Sequence, residues 1–467
     1  MSALWTSEEI AEATGGTASQ SFEVAGVIFD SREVGPGDLF IAMPGTVHDG
    51  HKFVDAAFAG GAAGAIVSHP VDGPHVLVED TFEALQALAR ASRNRSRATI
   101  FGVTGSVGKT STKEALFASL DRNRPGKVHR SVKSYNNHTG VPLSLARMPR
   151  EAEFAVFEMG MNNKGEIAAL TRQVRPHITV ITAIAPAHIE NLGSEEAIAD
   201  AKAEIFEGLE PDAIAIVPND TPHRDRLVKA ARRHADRIIT FGGGDADVHA
   251  IHAVAVEGGG SLISAALLDR ELTYTISQPG EHWVTNSLAV LAAIEAAGAD
   301  VALAGLALAD LGGLKGRGER HRIDLDNGEA LLIDESYNAN PASMAATLKS
   351  LGAERDAKRR IAILGPMREL GPQSDTLHAA LATAVIGAHV DELILIGEEM
   401  RPLAEKVVGS ISLDLVSDVD EATETLLRAL RPGDVVLVKA SNSVGLAKLV
   451  DRMVKGVEGL DLLPTRP

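Results

Sequence analysis

The segment Thr104-Gly105-Ser106-Val107-Gly108-Lys109-Thr110 follows an apolar run and leads into Ser111-Thr112-Lys113-Glu114-Ala115-Leu116, which reads as the start of a helix. Strand, glycine-bearing loop and helix N-terminus are what a phosphate cradle requires. Glycines let backbone N–H groups approach phosphate oxygens, and the helix N-terminus adds positive potential. A lysine neutralises the terminal phosphates, and the hydroxyl after it ligates Mg2+. Thr104 through Ser111 are therefore predicted to bind a triphosphate, with Lys109 acting in catalysis and Thr110 on the metal. The usual spacing would put glycine at position 103, where Val103 stands, so this loop is a shorter variant.

Two further positions have the chemistry of a metal site. Glu158 closes an apolar run over 154–159, and a carboxylate at the carboxyl edge of a parallel sheet points into the ligand crevice. It is predicted to bind Mg2+ beside Thr110. His188, in Ala187-His188-Ile189-Glu190, follows another strand end and is a candidate second-metal ligand, although a lone histidine also serves purely structural ends. Residues 194–209 read as a helix with Ser194 as N-cap and an apolar stripe Ile198, Ile205 and Leu209. Lys202 falls on that stripe, so it faces inward, either as a snorkelling lysine or as part of a site.

The elements that must position these residues alternate along the chain. Buried-type runs at 99–104, 154–159, 178–184 and 213–217 are separated by helical patterns, the signature of a parallel sheet. The stretch 249–276 instead reads as short alternating strands around Gly258-Gly259-Gly260, a small antiparallel appendage. A second series at 330–333, 360–364, 393–396 and 435–438 reads as a separate Rossmann-like domain. Before residue 95 the chain is glycine-rich and short-ranged, a small α/β domain. The fold class is thus α/β, and 467 residues at ~150 per domain suggest about three domains.

Bulk properties exclude several functions. Without cysteine there are no disulfides, thiolate metal sites or thiol nucleophiles. A formal charge of −18 argues against nucleic acid as a partner, because phosphate neutralisation needs a basic face. No apolar run approaches the ~20 residues of a membrane span, and the first residues lack an export signal. The expectation is a monomer in the cytoplasm.

The shortened loop is similar to that of the Mur ligase family. Asp30-Ser31-Arg32-Glu33-Val34-Gly35-Pro36-Gly37-Asp38-Leu39-Phe40 with Asp49-Gly50-His51-Lys52-Phe53 resembles the uridine-nucleotide domain of its later members. Asn136-Asn137-His138-Thr139-Gly140-Val141-Pro142-Leu143, Glu158-Met159-Gly160 and Ile333-Asp334-Glu335-Ser336-Tyr337-Asn338-Ala339-Asn340-Pro341 look like the members that ligate D-alanyl-D-alanine to UDP-N-acetylmuramoyl-tripeptide. The resemblance runs from about residue 23 to about 450. It departs at Gly365-Pro366-Met367, where the family usually has Gly-Asp-Met, and after Lys439.

The resemblance implies three domains: 1–95 for the UDP-muramoyl substrate, 96–317 for ATP and 318–467 for the amine. It implies ATP with two Mg2+ ions and an acyl phosphate. It makes Ser31 and Arg32 ligands of the uridine diphosphate, a bidentate task suited to guanidinium, with Asn137 and Thr139 as further contacts. Asn286, in Gly280-Glu281-His282-Trp283-Val284-Thr285-Asn286, matches a residue that contacts adenine, with an N-cap role as the alternative. Arg317 matches one that reaches ATP phosphates, and Asp334 or Glu335 should approach the ribose. Asn338 and Asn340 lie beside the expected amine pocket, unless they only form a turn before Pro341. Lys202 matches a carbamylated lysine, whose carboxylate helps hold the second Mg2+. An ammonium ~5 Å from a divalent cation at effective ε ~20 suffers about 6–7 kcal/mol of repulsion, which a carbamate reverses.

Overall fold

A computed structural model of the chain describes residues 3–45, 49–187, 189–256 and 259–456. The chain divides into two compact units. The first comprises Met1–Thr182, Ala199–His249 and Ala289–Ala307; the second comprises Ala183–Ile198, Ala250–Leu288 and Leu308–Pro467.

Besides the short antiparallel pair of Trp5–Thr6 with Glu23–Val24, the first unit contains two sheets. In the smaller, Gly26–Ile28, Asp38–Ile41, Gly64–Val67 and His75–Leu77 pair in parallel and in that order, with Thr17–Ala18 antiparallel on the last. The helix Thr81–Arg95 packs Leu85 and Leu88 into a core with Leu39, Ile41 and Ile66. Its start is fixed by Asp80, whose Oδ1 accepts from the N–H groups of Phe82 (2.7 Å) and Glu83 (3.0 Å), satisfying donors that have no partner inside the helix.

The larger sheet carries the phosphate loop. Its parallel strands run Val128–Arg130, Phe154–Glu158, Thr99–Thr104, Ile178–Ile181, Ile214–Pro218, Arg237–Gly242. Ile100, Phe101, Val103, Ala155, Val156 and Phe157 are all fully buried, as expected of strands covered on both faces. The register sets Glu158 beside Val103, one residue before the loop strand ends. At that end Gly105 has φ +150° and Gly108 has φ +82°, backbone that glycine adopts without a Cβ penalty. Gly108 caps the helix Lys109–Asn123.

In the second unit a six-stranded sheet runs Glu319–Leu325, Gly328–Glu335, Asp434–Lys439, Arg359–Leu364, Glu392–Ile396, Ser412–Val416. All pairs are parallel except the first. One core packs Leu364, Leu395 and Leu437 under helices, and another packs Ile363, Ile394 and Val436 on the opposite face. The hairpin Ser261–Leu267/Arg270–Ile276 is antiparallel, with Ile263 opposite Tyr274.

The α/β class holds, with two differences of detail. The predicted helix over 194–209 is an α-helix only over Glu195–Ala203, followed by a 3-10 turn Glu204–Gly208. Tightening there delivers the Ile205 carbonyl to the Thr171 hydroxyl at 2.7 Å, and lets Glu204 accept from the N–H groups of Gly165 (2.7 Å) and Ala168 (3.2 Å) at the start of helix Glu166–Val174. The predicted antiparallel stretch 249–276 begins with Val248–Ala255, which pairs in parallel with Arg237–Gly242. Of its glycine turn, Gly258 lies outside the described residues. Among the described residues no helix is long and apolar enough to cross a membrane.

Candidate active site

Glu158 is fully buried, and its side chain is held from three sides. The Thr110 hydroxyl donates to Oε2 at 2.9 Å and the Asn136 amide donates to Oε1 at 2.8 Å. Its own backbone N–H is fixed by the Ser131 hydroxyl at 3.0 Å. The Lys113 ammonium, itself wholly buried, stands 4.0 Å from Oε2. Lys109 donates to the Gly105 carbonyl at 2.8 Å, bringing its charge over the loop. Thr104 and Ser106 are buried, and Ser111 is half-buried in the first helical turn. A hydroxyl and a carboxylate meeting at the mouth of a phosphate loop are hard oxygen donors, which suit Mg2+.

Lys202 is 1% exposed, and its Nζ has no hydrogen-bond partner among the described residues. Burial first, and then the charge of Lys109, push its pKa well below that of an ordinary lysine; Glu204 opposes them. Burial there disfavours the charged ammonium. His188 lies outside the described residues.

The turn Ser31–Glu33 presents Arg32, whose guanidinium grips Asp30 through Nε (2.9 Å) and Nη2 (2.6 Å) while remaining 85% exposed. That hydrogen-bonded cation holds the Asp30 carboxyl down at about 2. Ser31 is half-buried in the same turn. Asn137 Oδ1 accepts from the Thr139 hydroxyl (3.0 Å) and the Gly140 N–H (2.9 Å), so both residues organise the start of helix Gly140–Ala146.

In the second unit the Asp334 carboxylate is consumed by backbone. Oδ2 accepts from Gly316 N–H at 2.9 Å and Oδ1 from Ser336 N–H at 3.0 Å, which pins the turn that carries Arg317. Arg317 lies with its guanidinium carbon 4.2 Å from the centre of the Tyr337 ring. Glu335 instead meets Lys439 at 3.1 Å, and the same ammonium donates to the Asn338 carbonyl at 3.0 Å. His282, half-buried nearby, has its pKa lowered mainly by desolvation, with Glu335 opposing. A cavity of about 30 Å³ is lined by His282, Trp283, Glu335 and Thr347. Asn286 sits inside helix Glu281–Ala296 rather than at its start, so it is no N-cap. Asn340 is one: its Oδ1 accepts from Ser343 N–H at 2.9 Å, and the Ser343 hydroxyl accepts from the Asn340 N–H at 3.0 Å.

Sequence reasoning overlooked Asn136, Ser131 and Lys113 around Glu158, and His282 with Lys439 around Glu335. Lys113 carried a signal, since a lysine one turn after Thr110 shares its helix face; the others are set by tertiary contact alone.

Known proteins place this geometry in a family. Residues 23–95 match the Mur ligase family catalytic domain, 103–294 the Mur ligase middle domain, and 316–442 the Mur ligase glutamate ligase domain. The chain is 36% identical to the UDP-N-acetylmuramoyl-tripeptide–D-alanyl-D-alanine ligase of Synechocystis sp. over 93% of each chain. It is 33% identical to the Bacillus subtilis ligase of that name, over 96% of this chain and 98% of the relative. A crystal structure of MurF from Acinetobacter baumannii superposes with a TM-score of 0.83 at 28% identity, covering 97% of this chain and 99% of that one. MurF from Thermotoga maritima in complex with ADP gives 0.76 at 29% identity, covering 92% and 97%. With matches spanning nearly its whole length, the chain belongs to the Mur ligase family.

Proposed function

We propose that the chain joins the amino group of D-alanyl-D-alanine to the terminal carboxylate of UDP-N-acetylmuramoyl-tripeptide, converting ATP to ADP and phosphate. The relatives' names support the substrate pair. The observation that carries the chemistry is the clasp of Thr110 on buried Glu158 at the end of the phosphate loop. A carboxylate oxygen of the tripeptide attacks the γ-phosphorus of ATP, and ADP leaves. The dipeptide amine then attacks the acyl carbon of the resulting acyl phosphate, losing a proton as phosphate departs and the amide forms. Lys109 offsets charge on the transferring phosphoryl group, a role whose loss costs ~3–4 kcal/mol at preorganised sites.

Thr110 and Glu158 would hold Mg2+, with His188 assigned to a second ion. Bound Mg2+ supplies neutralisation of phosphate charge. Lys202, its ammonium disfavoured by burial and its Nζ without a hydrogen-bond partner among the described residues, is suited to add CO2 with loss of a proton, and the carbamate would bring a further carboxylate to the metals. Ser31 and Arg32 are assigned to the uridine diphosphate, and residues 318–467 to the amine substrate. The protein works as a monomer in the cytoplasm, on small molecules and without nucleic acid.

The test is ADP release with purified protein, MgATP and the UDP-tripeptide. Turnover should require D-alanyl-D-alanine and be negligible with single amino acids; turnover with a single amino acid and a shorter UDP-peptide, but not with the dipeptide, would reassign the substrate.

A further inference from the structure

Between the turn Ser31–Glu33 and Glu158 runs one short stretch of backbone, residues 131–137, fastened on both sides. On one side the Lys113 ammonium, inside the first unit with no exposed surface, donates to the carbonyls of Lys133 and, at 3.4 Å, Ser131. The same ammonium pairs with Glu114 at 3.0 Å and stands 4.0 Å from Glu158. Ser131 and Asn136, both in the stretch, are the groups that bond Glu158's backbone and Oε1. On the other side the Lys133 side chain reaches Glu33, the residue after Arg32, in a hydrogen-bonded ion pair. The Tyr135 ring lies against Phe29, with centroids 5.8 Å apart, just before that turn.

Lys133 holds this position at φ +49°, a conformation that a residue with a side chain adopts at a cost. Strained backbone persists where its surroundings over-determine it. Here the Lys113 ammonium grips the carbonyl of the strained residue, and Glu33 grips its side chain. The pair itself is more than half exposed at Lys133, so it adds little to stability. Its effect is to fix where the turn stands relative to the carboxylate.

We propose that residues 131–137 form a strap that couples the nucleotide-sugar turn to the metal carboxylate, with Lys113 and Lys133 as positioning residues. This rests on the function proposed above. A uridine nucleotide engaging Arg32 orders Glu33; Glu33 steadies Lys133; and the strap, held by Lys113, then keeps Asn136 and Ser131 on Glu158. Binding of the UDP-sugar substrate should therefore tighten binding of the Mg2+ complex of ATP, and the reverse, by the same factor.

The experiment is calorimetric titration of full-length protein with Mg2+ and a non-hydrolysable ATP analogue, without and with saturating UDP-N-acetylmuramoyl-tripeptide. Wild type should show coupling of ~5-fold or more, within the usual range for linked sites. Lys133→Gly removes the side chain and relaxes the backbone, so it should stay folded. It and Glu33→Gln should each bring the factor to about 1. Lys113→Met should also abolish coupling; if it fails to fold, the two surface variants decide. Both ligands binding wild type without coupling, or coupling that survives Lys133→Gly and Glu33→Gln, overturns the strap alone. Wild type that binds no UDP-tripeptide overturns the ligase reading as well.

Discussion

Thr110 and Asn136 each donate to one oxygen of Glu158, so truncating either leaves a buried acceptor unpaired, at a typical cost of ~1–3 kcal/mol. Asn136→Ala is expected to lose about that much in urea denaturation and to need more Mg2+ for half-maximal turnover. Unchanged Mg2+ dependence would remove Asn136 from the site. Lys202→Ala should abolish activity that added bicarbonate cannot restore, whereas near-normal rates would end the carbamate proposal. His129 tests a different cost. Burial depresses its pKa from 6.5 to about 4, although its ring contacts the Ser144 carbonyl at 2.7 Å. Between those values the unfolded chain binds a proton that the folded chain refuses, so stability falls as pH drops from about 6.5 toward 4. His129→Gln should flatten the dependence of the urea midpoint on pH across that window. Thr110 was legible as the hydroxyl after the loop lysine, and Glu158 as the acid at the end of an apolar run. Asn136 was not, because nothing local marks an amide that reaches a strand 22 residues away.

At the scale of elements, continuous Val/Ile/Leu runs made the central strands legible to within a few residues: 213–217 was expected and Ile214–Pro218 is found. Glu319–Leu325 was missed because Glu319-Arg320-His321-Arg322 has no apolar alternation to read; its place on the edge of the sheet, paired on one side only, lets polar residues occupy a strand. The helix over 194–209 was overextended, since apolar periodicity continues through a 3-10 turn that only the contacts of Glu204 and Ile205 impose. Asn340 illustrates a residue with two readings. As the N-cap of Pro341–Gly352, its replacement by alanine should cost ~1 kcal/mol in unfolding, and Asn340→Asp should recover most of that. If Asn340 also binds the amine, the KM for D-alanyl-D-alanine will rise in both variants; if it only caps, it will rise in neither.

For the whole molecule, a net charge of −18 means that anionic substrates meet a repulsive average field and depend on local cations such as Lys109. The Mg2+ complex of ATP should stabilise the folded chain by about 2.7 kcal/mol at a hundredfold excess over its dissociation constant, and Lys109→Ala should remove most of the associated rise in Tm. The most direct measurement follows oxygen. With the terminal carboxylate of UDP-N-acetylmuramoyl-tripeptide labelled with oxygen-18, reaction with ATP and D-alanyl-D-alanine should deliver label from that carboxylate into the inorganic phosphate, together with a UDP-pentapeptide product. Phosphate that carries its new oxygen from solvent water and none from the carboxylate would contradict activation of the tripeptide by ATP in this protein.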